Sequence, residues 1–290
     1  MAINNLNLKI AAEKSIIEAH NYIAPLKFFA TSFNEEAKNP GDAVLVPVFA
    51  LSAVSDFNAD SNNYAGSEQG VSGTPVTLNQ HKVKSVYITD RQVAETNIDF
   101  FEGAGRAIGD KLGQAVVAGA LNLVGDASVT LSASFTTSNS QNKAATANLY
   151  AIADSNGIDP RDAVVVLPPA KFAGVLSQLD ANVYGGWEAI RDGLVPNLYG
   201  FYGVFSSTQL PDGVGGAIIH REAIGIASRY LEPMDGVYEE VAQVKDDKSG
   251  FTIGFRMFGQ KETGRRYIAG ECLYGAALLQ PTKIVKLIGD

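Results

Sequence analysis

The sequence predicts an α+β protein with two lobes and a projecting hairpin. Residues 96–124 carry apolar side chains at steps of three, four and seven, the spacing of one face of a long amphipathic helix. Apolar residues alternate along residues 44–50, and several strand-like runs follow residue 233, so a sheet is expected beside this helix. Strand-like and helix-like segments alternate along residues 144–232, which is typical of a separate α/β lobe.

The long helix is predicted from Thr96 to Val124. Thr96 and Asp99 have the spacing of a capping box, and Gly125 marks the expected end. Each interior glycine costs about 1 kcal/mol relative to alanine. Two interpretations are open: the small residues press the helix against a sheet, or they form a spine on which sheets and neighbouring subunits stack. The glycines concerned are Gly103, Gly105, Gly109, Gly113 and Gly119.

The first forty residues are predicted to form an arm. Residues 11–24 have a weak helical pattern that ends at Pro25, and a cluster of apolar side chains follows. This cluster is too small to bury itself, so the arm either folds back on its own body or docks on a neighbour. The cluster consists of Leu26, Phe28, Phe29 and Phe33.

Residues 41–95 are predicted to form a long two-stranded hairpin. One strand begins at Val44, the other runs from Lys82 to Thr89, and residues 55–74 form a polar tip rich in Asn, Asp, Ser and Gly. An isolated two-stranded ribbon is marginally stable in water. A ribbon of this length is therefore expected to lie on another surface, often that of another subunit.

The α/β lobe and the C-terminal segment are predicted element by element. Residues 163–167 form a continuous apolar run that suits a buried central strand, and Pro168-Pro169 opens a helix through Leu179. The other predicted elements are a short edge strand within 128–142, helices at 144–155 and 187–191, and strands at 204–206, 217–220, 224–230, 240–245, 251–258 and 276–287.

Composition excludes several classes of protein. The net charge of −8 argues against an outer basic surface built to grip nucleic acid. No apolar run is long enough to predict a transmembrane helix, and the first residues lack the pattern of a signal peptide, so a cytoplasm-like compartment is expected. The single cysteine, Cys272, lies in an apolar run, which indicates a buried structural thiol.

No motif for catalysis is evident in the sequence. The three histidines, His20, His81 and His220, are far apart in the chain and do not have the spacing of metal ligands. His220 and Glu222 could serve in acid–base chemistry, but a polar turn after a strand explains them more simply. Dinucleotide, phosphate-loop and nucleophile-elbow patterns are missing. We therefore predict no catalytic, cofactor-binding or metal-binding residue, and no enzyme.

Two stretches resemble a known family. Residues 198–211, Leu-Tyr-Gly-Phe-Tyr-Gly-Val-Phe-Ser-Ser-Thr-Gln-Leu-Pro, lead into a strand-like run at 215–227. This pattern resembles the major capsid proteins of tailed double-stranded DNA bacteriophages, which have the Hong Kong ninety-seven-type capsid fold. Gly203 stands where many members have proline. Residues 244–259 are similar to the late pair of strands in the family's peripheral domain.

The resemblance implies a five-part fold, because the family has an arm, an extended hairpin loop, a peripheral domain with a spine helix, and an axial α/β domain. Read onto this chain, these are the N-terminal arm (1–40), the hairpin loop (41–95), the peripheral domain (96–143), the axial domain (144–232) and a C-terminal return to the peripheral domain (233–290).

The resemblance also implies a function. The chain is expected to be a structural subunit of an icosahedral virion shell that self-assembles into hexamers and pentamers in the host cytoplasm and encloses double-stranded DNA without reading its sequence. A separate scaffolding protein and a portal are the expected partners, with no membrane and no cofactor. Residues 55–74 contain no lysine, so no covalent crosslink between hairpins is expected.

Two alternatives stay open at this point. One is an encapsulin-like cargo compartment with the same fold, which would close without a scaffold and present a groove for a cargo peptide. The other is a cytoplasmic α/β enzyme with an inserted hairpin, in which His220 and Glu222 would be the first residues to test.

Overall fold

A computed structural model describes residues 5–23, 25–32, 43–49, 71–89, 99–178, 194–196, 198–246 and 250–289. Its helices are α1 (Asn5–Ile23), α2 (Leu26–Phe29), α3 (Asp99–Leu121), α4 (Thr137–Ser140), α5 (Lys143–Ser155) and α6 (Pro169–Leu176). Across these described ranges, no helix combines the length and the apolar character needed to cross a membrane.

The described strands form two six-stranded sheets and one two-stranded hairpin. The first sheet has the order β1-β10-β13-β12-β11, with β4 also paired to β13; the second has the order β5-β14-β9-β6-β8-β7. The strands are β1 (Ala30–Ser32), β2 (Ala43–Phe49), β3 (Val71–Thr77), β4 (Gln80–Thr89), β5 (Ser132–Ser134), β6 (Ala163–Leu167), β7 (Leu194–Pro196), β8 (Gly203–Ser206), β9 (Ala217–His220), β10 (Ile224–Arg229), β11 (Glu240–Lys245), β12 (Thr252–Gln260), β13 (Arg265–Leu278) and β14 (Ile284–Ile288).

The centre of the first sheet is the 14-residue strand β13. Strand β4 pairs with residues 265–274 along one edge, while β12 and β10 share the other edge end to end. Alternate residues of β13 face helix α3, and three of them, Ile268, Cys272 and Tyr274, are buried there. The Tyr274 hydroxyl donates a hydrogen bond of 3.0 Å to the carbonyl of Ala115 on α3, which fixes the helix to the sheet.

Helix α1 lies along α3 in the same direction, and the glycines of α3 make this close approach feasible. A Cβ atom added at Gly105 would overlap the carbonyl oxygen of Ala11, and one at Gly109 would overlap that of Ser15. At Gly119, by contrast, an added Cβ would overlap the side chain of Tyr274 in the sheet. The small residues thus press the spine against a sheet, as one interpretation expected, and also against a helix of the same chain.

The arm folds back on its own body. The ring of Phe29 is fully buried and stacks on Phe205 of β8, with ring centroids 5.5 Å apart. Through this contact α2 joins the second sheet to the first, and one hydrophobic core extends across both. Phe33 and the predicted helix cap at Thr96 lie outside the described residues, as do residues 55–70 of the predicted hairpin tip and residues 187–191.

Strand β6 sits in the middle of the second sheet and is buried on both faces. Val164 and Val166 point into the core shared with the first sheet, whereas Val165 and Leu167 point toward a second core beneath α5 and α6. A strand covered on both faces carries a continuous apolar run rather than an alternating one. This confirms the predicted central strand.

The predicted pairing of the hairpin was wrong. Strand β2 pairs with β3, which lies within and just beyond the segment predicted as polar tip, and not with Lys82–Thr89. The sequence of β3 does not predict a strand, because it contains Gly73 and Pro75 and both residue types are unfavourable in strands. The 82–89 segment belongs to β4, where ten consecutive residues pair with β13 and outcompete a pairing with β2.

Two strands lie in the opposite lobe to the one predicted. Strand β10, assigned by sequence to the axial lobe, pairs with β1 and β13 in the first sheet. Strand β14, assigned to the peripheral return, pairs with β9 and β5 in the second. The predicted strand at 276–287 is in fact the end of β13 and the start of β14. The chain passes from one sheet to the other through short connections. An apolar run in the sequence predicts a strand but does not show to which sheet the strand belongs.

Candidate functional site: the hairpin and the outer sheet face

The base of the β2–β3 hairpin is fixed to the first sheet. Val44, Val46 and Val76 are buried against a small cluster that includes Ala227 of β10. A Cβ atom at Gly275 of β13 would overlap the carbonyl of Thr77, so the hairpin backbone lies directly on the sheet at this point. The hairpin therefore leaves the body from a defined position.

The other side of the hairpin is open to solvent and apolar. Leu45 is 67% exposed, and Pro47 and Pro75 are exposed beside it. Neither strand contains a charged residue. Proline lacks the backbone N–H of a sheet ladder, so the two prolines discourage uncontrolled strand pairing while leaving an apolar surface available.

A chain of aromatic rings crosses the outer face of the first sheet, the face opposite α3. The rings of Phe258 and Tyr267 stack with centroids 5.2 Å apart, Tyr87 lies 5.7 Å beyond Tyr267, and Tyr238 meets Phe258 edge-on at 6.1 Å. Arg265 covers the ring of Tyr87 at 4.5 Å. Such ring and cation contacts each contribute about 0.5–1.5 kcal/mol and make the face rigid.

The two least exposed charged groups on this face pair with each other. Arg256 and Glu271 form an ion pair with side chains only 14% and 8% exposed. Arg256 also donates a 2.8 Å hydrogen bond to the hydroxyl of Tyr238, and Nε2 of His81 lies 3.2 Å from Glu271. Beside this pair, Val83, Tyr87 and Val241 expose apolar surface on the same face.

The three histidines are not brought together. His20 of α1 lies 2.9 Å from Asp246, His81 contacts Glu271, and His220 stands at the end of β9. Among the residues that the structure describes, no group of three or more His, Cys, Asp or Glu side chains could hold a metal ion. The histidines therefore act as separate partners of acidic groups.

His220 and Glu222 form part of a structural turn. Glu222 is held by Lys283 at 2.8 Å, and Arg221 lies 3.5 Å from Asp162. Burial, together with the charge of Lys283, lowers the pKa of His220 from its usual value. The polar turn that the sequence favoured is thus a point where ion pairs join different segments of the chain.

Cys272 is buried beneath α3, as predicted, and burial raises the pKa of its thiol to about 12. At pH 8 only about one thiol in ten thousand would be ionised, and the thiolate is the reactive form.

We expect the native chain to resist labelling of Cys272 by a disulfide reagent at pH 8, while the same chain in denaturant reacts fully. Rapid labelling without denaturant would show that β13 opens readily.

Sequence reasoning missed both exposed surfaces. The alternation at residues 44–50 predicts that Val44 and Val46 lie on the buried face of a strand. Leu45 lies between them and must therefore be on the opposite face, which is the signal in the sequence for an exposed apolar surface. The aromatic chain could be predicted only by knowing how four segments of the chain align with one another. The turn residues at 261–264 would have placed Phe258 opposite Tyr267, had β13 been recognised.

An anchored hairpin, a long spine helix and a separate α/β sheet are the features that the resemblance to the Hong Kong ninety-seven-type capsid fold leads one to expect. A profile of the phage capsid protein family matches residues 72–287, most of the chain. The chain therefore belongs to the phage capsid protein family. Its role is that of a structural, non-enzymatic capsid subunit, which resides in the virion.

Solved structures agree with this fold at low sequence identity. The chain is similar to a structure from Mycobacterium phage Che8, with 15% identity, 91% of this chain and 90% of that chain covered, and a TM-score of 0.56. A virus-like particle from Pyrococcus furiosus gives 11% identity, 96% and 98% coverage, and the same TM-score of 0.56. The capsid of a native GTA particle gives 15%, 92% and 90%, and 0.54. No curated protein matches the sequence.

Proposed function

We propose that the chain assembles into hexamers and pentamers that build an icosahedral shell around packaged double-stranded DNA. The hairpin carries this proposal, since its base is fixed on β10 and β13 while its apolar side, with Leu45, is exposed. A projecting surface of one subunit that packs on a different surface of the next makes a heterologous contact, and such contacts close into rings.

The outer sheet face is the proposed receiving surface for a neighbour's hairpin. Its least exposed charges, Arg256 and Glu271, pair with each other, and apolar side chains such as Val83 and Tyr87 are exposed. A ribbon without charged residues fits such a face, because docking buries no charge of the ribbon and leaves the Arg256–Glu271 pair intact. In this proposal the five-part division into arm, hairpin, peripheral domain, axial domain and return describes how subunits meet, with β4 and β10 counted in the peripheral domain and β14 in the axial domain.

The remaining partners follow from the same proposal. The net charge of −8 suits a container that must release its contents, because a strongly basic wall would hold DNA electrostatically. DNA is enclosed without sequence-specific contacts. A separate scaffolding protein and a portal complete the shell, which forms in the host cytoplasm without a membrane.

Replacing Leu45 with aspartate should abolish assembly while leaving the subunit folded. The side chain is exposed in the single chain, so unfolding should change by no more than about 0.5 kcal/mol. In a subunit contact the new carboxylate would be buried without a partner, at a cost of several kcal/mol. Negative-stain electron microscopy and sedimentation velocity measure the outcome, with the scaffolding protein supplied if shells require it.

The matched control is Leu45→Met, which keeps the volume and apolar character and should assemble. If Leu45→Asp forms shells as readily as the unchanged chain, the hairpin is not an assembly surface. If the unchanged chain stays monomeric with and without a scaffold, the shell proposal itself is wrong. Closed shells from the purified chain alone would favour the cargo compartment. The enzyme alternative loses support, because Glu222 is engaged in an ion pair with Lys283.

A further inference from the structure

The polypeptide passes between the two sheets at two points that lie side by side. Residues 221–223 connect β9 to β10, and residues 279–283 connect β13 to β14. We call these two segments, together with His220, the junction. The amides of Leu279 and Gln280 both donate to the carbonyl of Ala223, at 2.8 and 3.3 Å. The 2.8 Å ion pair between Glu222 and Lys283 also joins the two connections.

His220 is the buried titratable group of the junction, with only 7% of its surface exposed. Its Nδ1 atom accepts a hydrogen bond of 3.3 Å from the backbone N–H of Glu222, and the same atom lies 4.0 Å from the Glu222 carboxylate. An accepting Nδ1 carries no proton, so this geometry is that of the neutral ring. The charged groups that act on His220 are Asp159 and Asp162 before β6, Arg221 and Glu222 in its own turn, and Lys283 in the other connection.

Protonation would change the contacts of Nδ1 in two ways. A protonated Nδ1 cannot accept from the Glu222 amide, so that hydrogen bond is lost and two N–H groups face each other. The new N–H also becomes a donor near the Glu222 carboxylate, which Lys283 currently holds at 2.8 Å. The imidazolium and the ammonium then compete for one carboxylate, and repel each other if it stays with Lys283.

We propose that His220 is a pH-sensitive switch in the junction, whose protonation draws Glu222 away from Lys283 and loosens the connection between the two sheets. The switch requires only that Nδ1 of His220 takes up one proton from the solvent. This property belongs to the single chain and goes beyond the proposed assembly into shells.

The sign and the pH range follow from the titration of His220. Burial, and after it the charge of Lys283, lowers the pKa of His220 below its usual 6.5, so the unfolded chain binds this proton more readily than the folded one. The stabilising contribution of the neutral ring is therefore complete above pH 6.5. It is lost progressively as the pH falls below 6.5 and through the lowered pKa.

Hydrogen exchange of the full chain, measured by mass spectrometry between pH 7.5 and 5.0, tests the proposal. After correction for the intrinsic pH dependence of exchange, protection of the Leu279 and Gln280 amides should fall about two- to fivefold, the effect of losing one partly exposed ion pair. Amides of β12, remote from the junction, serve as the internal reference. Unchanged protection at the junction would overturn the proposal.

Two variants separate the switch from a general effect of acid. His220→Asn can still accept a hydrogen bond but does not titrate, so its junction should keep full protection at pH 5.0. Lys283→Met should already show the reduced protection at pH 7.5, with little further change on acidification. If His220→Asn loses protection with acid as the unchanged chain does, His220 is not the switch, and Lys283→Met gives the same decision should the first variant fail to fold. None of these outcomes depends on whether shells form.

Discussion

Replacing Gly109 with leucine should detach α1 from α3 and prevent the chain from assembling. Even the first side-chain atom would overlap the carbonyl of Ser15, and a backbone atom cannot move aside without moving the whole helix. Detachment exposes the buried side chains of Leu8 and Ile23, each of which contributes about 1.5–3 kcal/mol. We therefore expect a loss of at least about 3 kcal/mol in urea unfolding, and no shells by electron microscopy.

Gly103 offers the matched control, because it lies on the same helix with nothing within 4 Å of an added Cβ. Gly103→Ala should stabilise the chain by about 0.5–1 kcal/mol through helix propensity alone, and assembly should continue. The packing interpretation of the spine glycines fails if Gly109→Leu unfolds at the same urea concentration as the unchanged chain. It also fails if Gly103→Ala is as damaging as Gly109→Leu.

Removal of the Glu271 carboxylate, by the substitution Glu271→Ala, should be the other severe change. It leaves the Arg256 guanidinium, only 14% exposed, without its ion-pair partner. Breaking a buried pair in this way costs about 3–5 kcal/mol, since the remaining charge is kept from water. His81 loses its carboxylate contact as well. Urea unfolding of the full chain measures the cost.

Two comparisons test this explanation. Glu239→Ala removes the partner of Arg266 in a more exposed pair, 3.1 Å long, and should cost no more than about 1 kcal/mol. The double change Arg256→Met with Glu271→Met removes both buried charges and should recover most of the loss. Equal costs for Glu271→Ala and Glu239→Ala would mean that burial of the pair contributes nothing.

Local patterns were enough to predict the elements that depend on their own residues. The spine helix is one case, since its 3.6-residue period is written within one segment; the described helix runs from Asp99 to Leu121. Strand β6 is another, because burial on both faces requires an uninterrupted apolar run. Helix α5 also followed the prediction, with Asn142 accepting a hydrogen bond from Ala144 as its cap.

Elements that depend on distant partners were not predictable in this way. Strand β3 has a poor strand sequence, with Gly73 and Pro75, and forms because β2 and the first sheet support it. Glu271 of β13 and Arg256 of β12 are charged, so the sequence alone predicts that they lie at the surface. Their burial depends on the ion pair between them, which only the strand pairing reveals. The candidate site shares this limit, since its aromatic chain joins Tyr87 to rings more than a hundred residues away.

The position of β13 in the chain also determines when the first sheet can fold. This strand follows β4, β10 and β12 in the chain, yet it pairs with all three, and the hairpin base rests on the surface that it completes. Sheets built from such distant segments close slowly, and a nascent chain lacks the strand that organises them. A polypeptide that stops before residue 265 therefore has no folded platform for its hairpin.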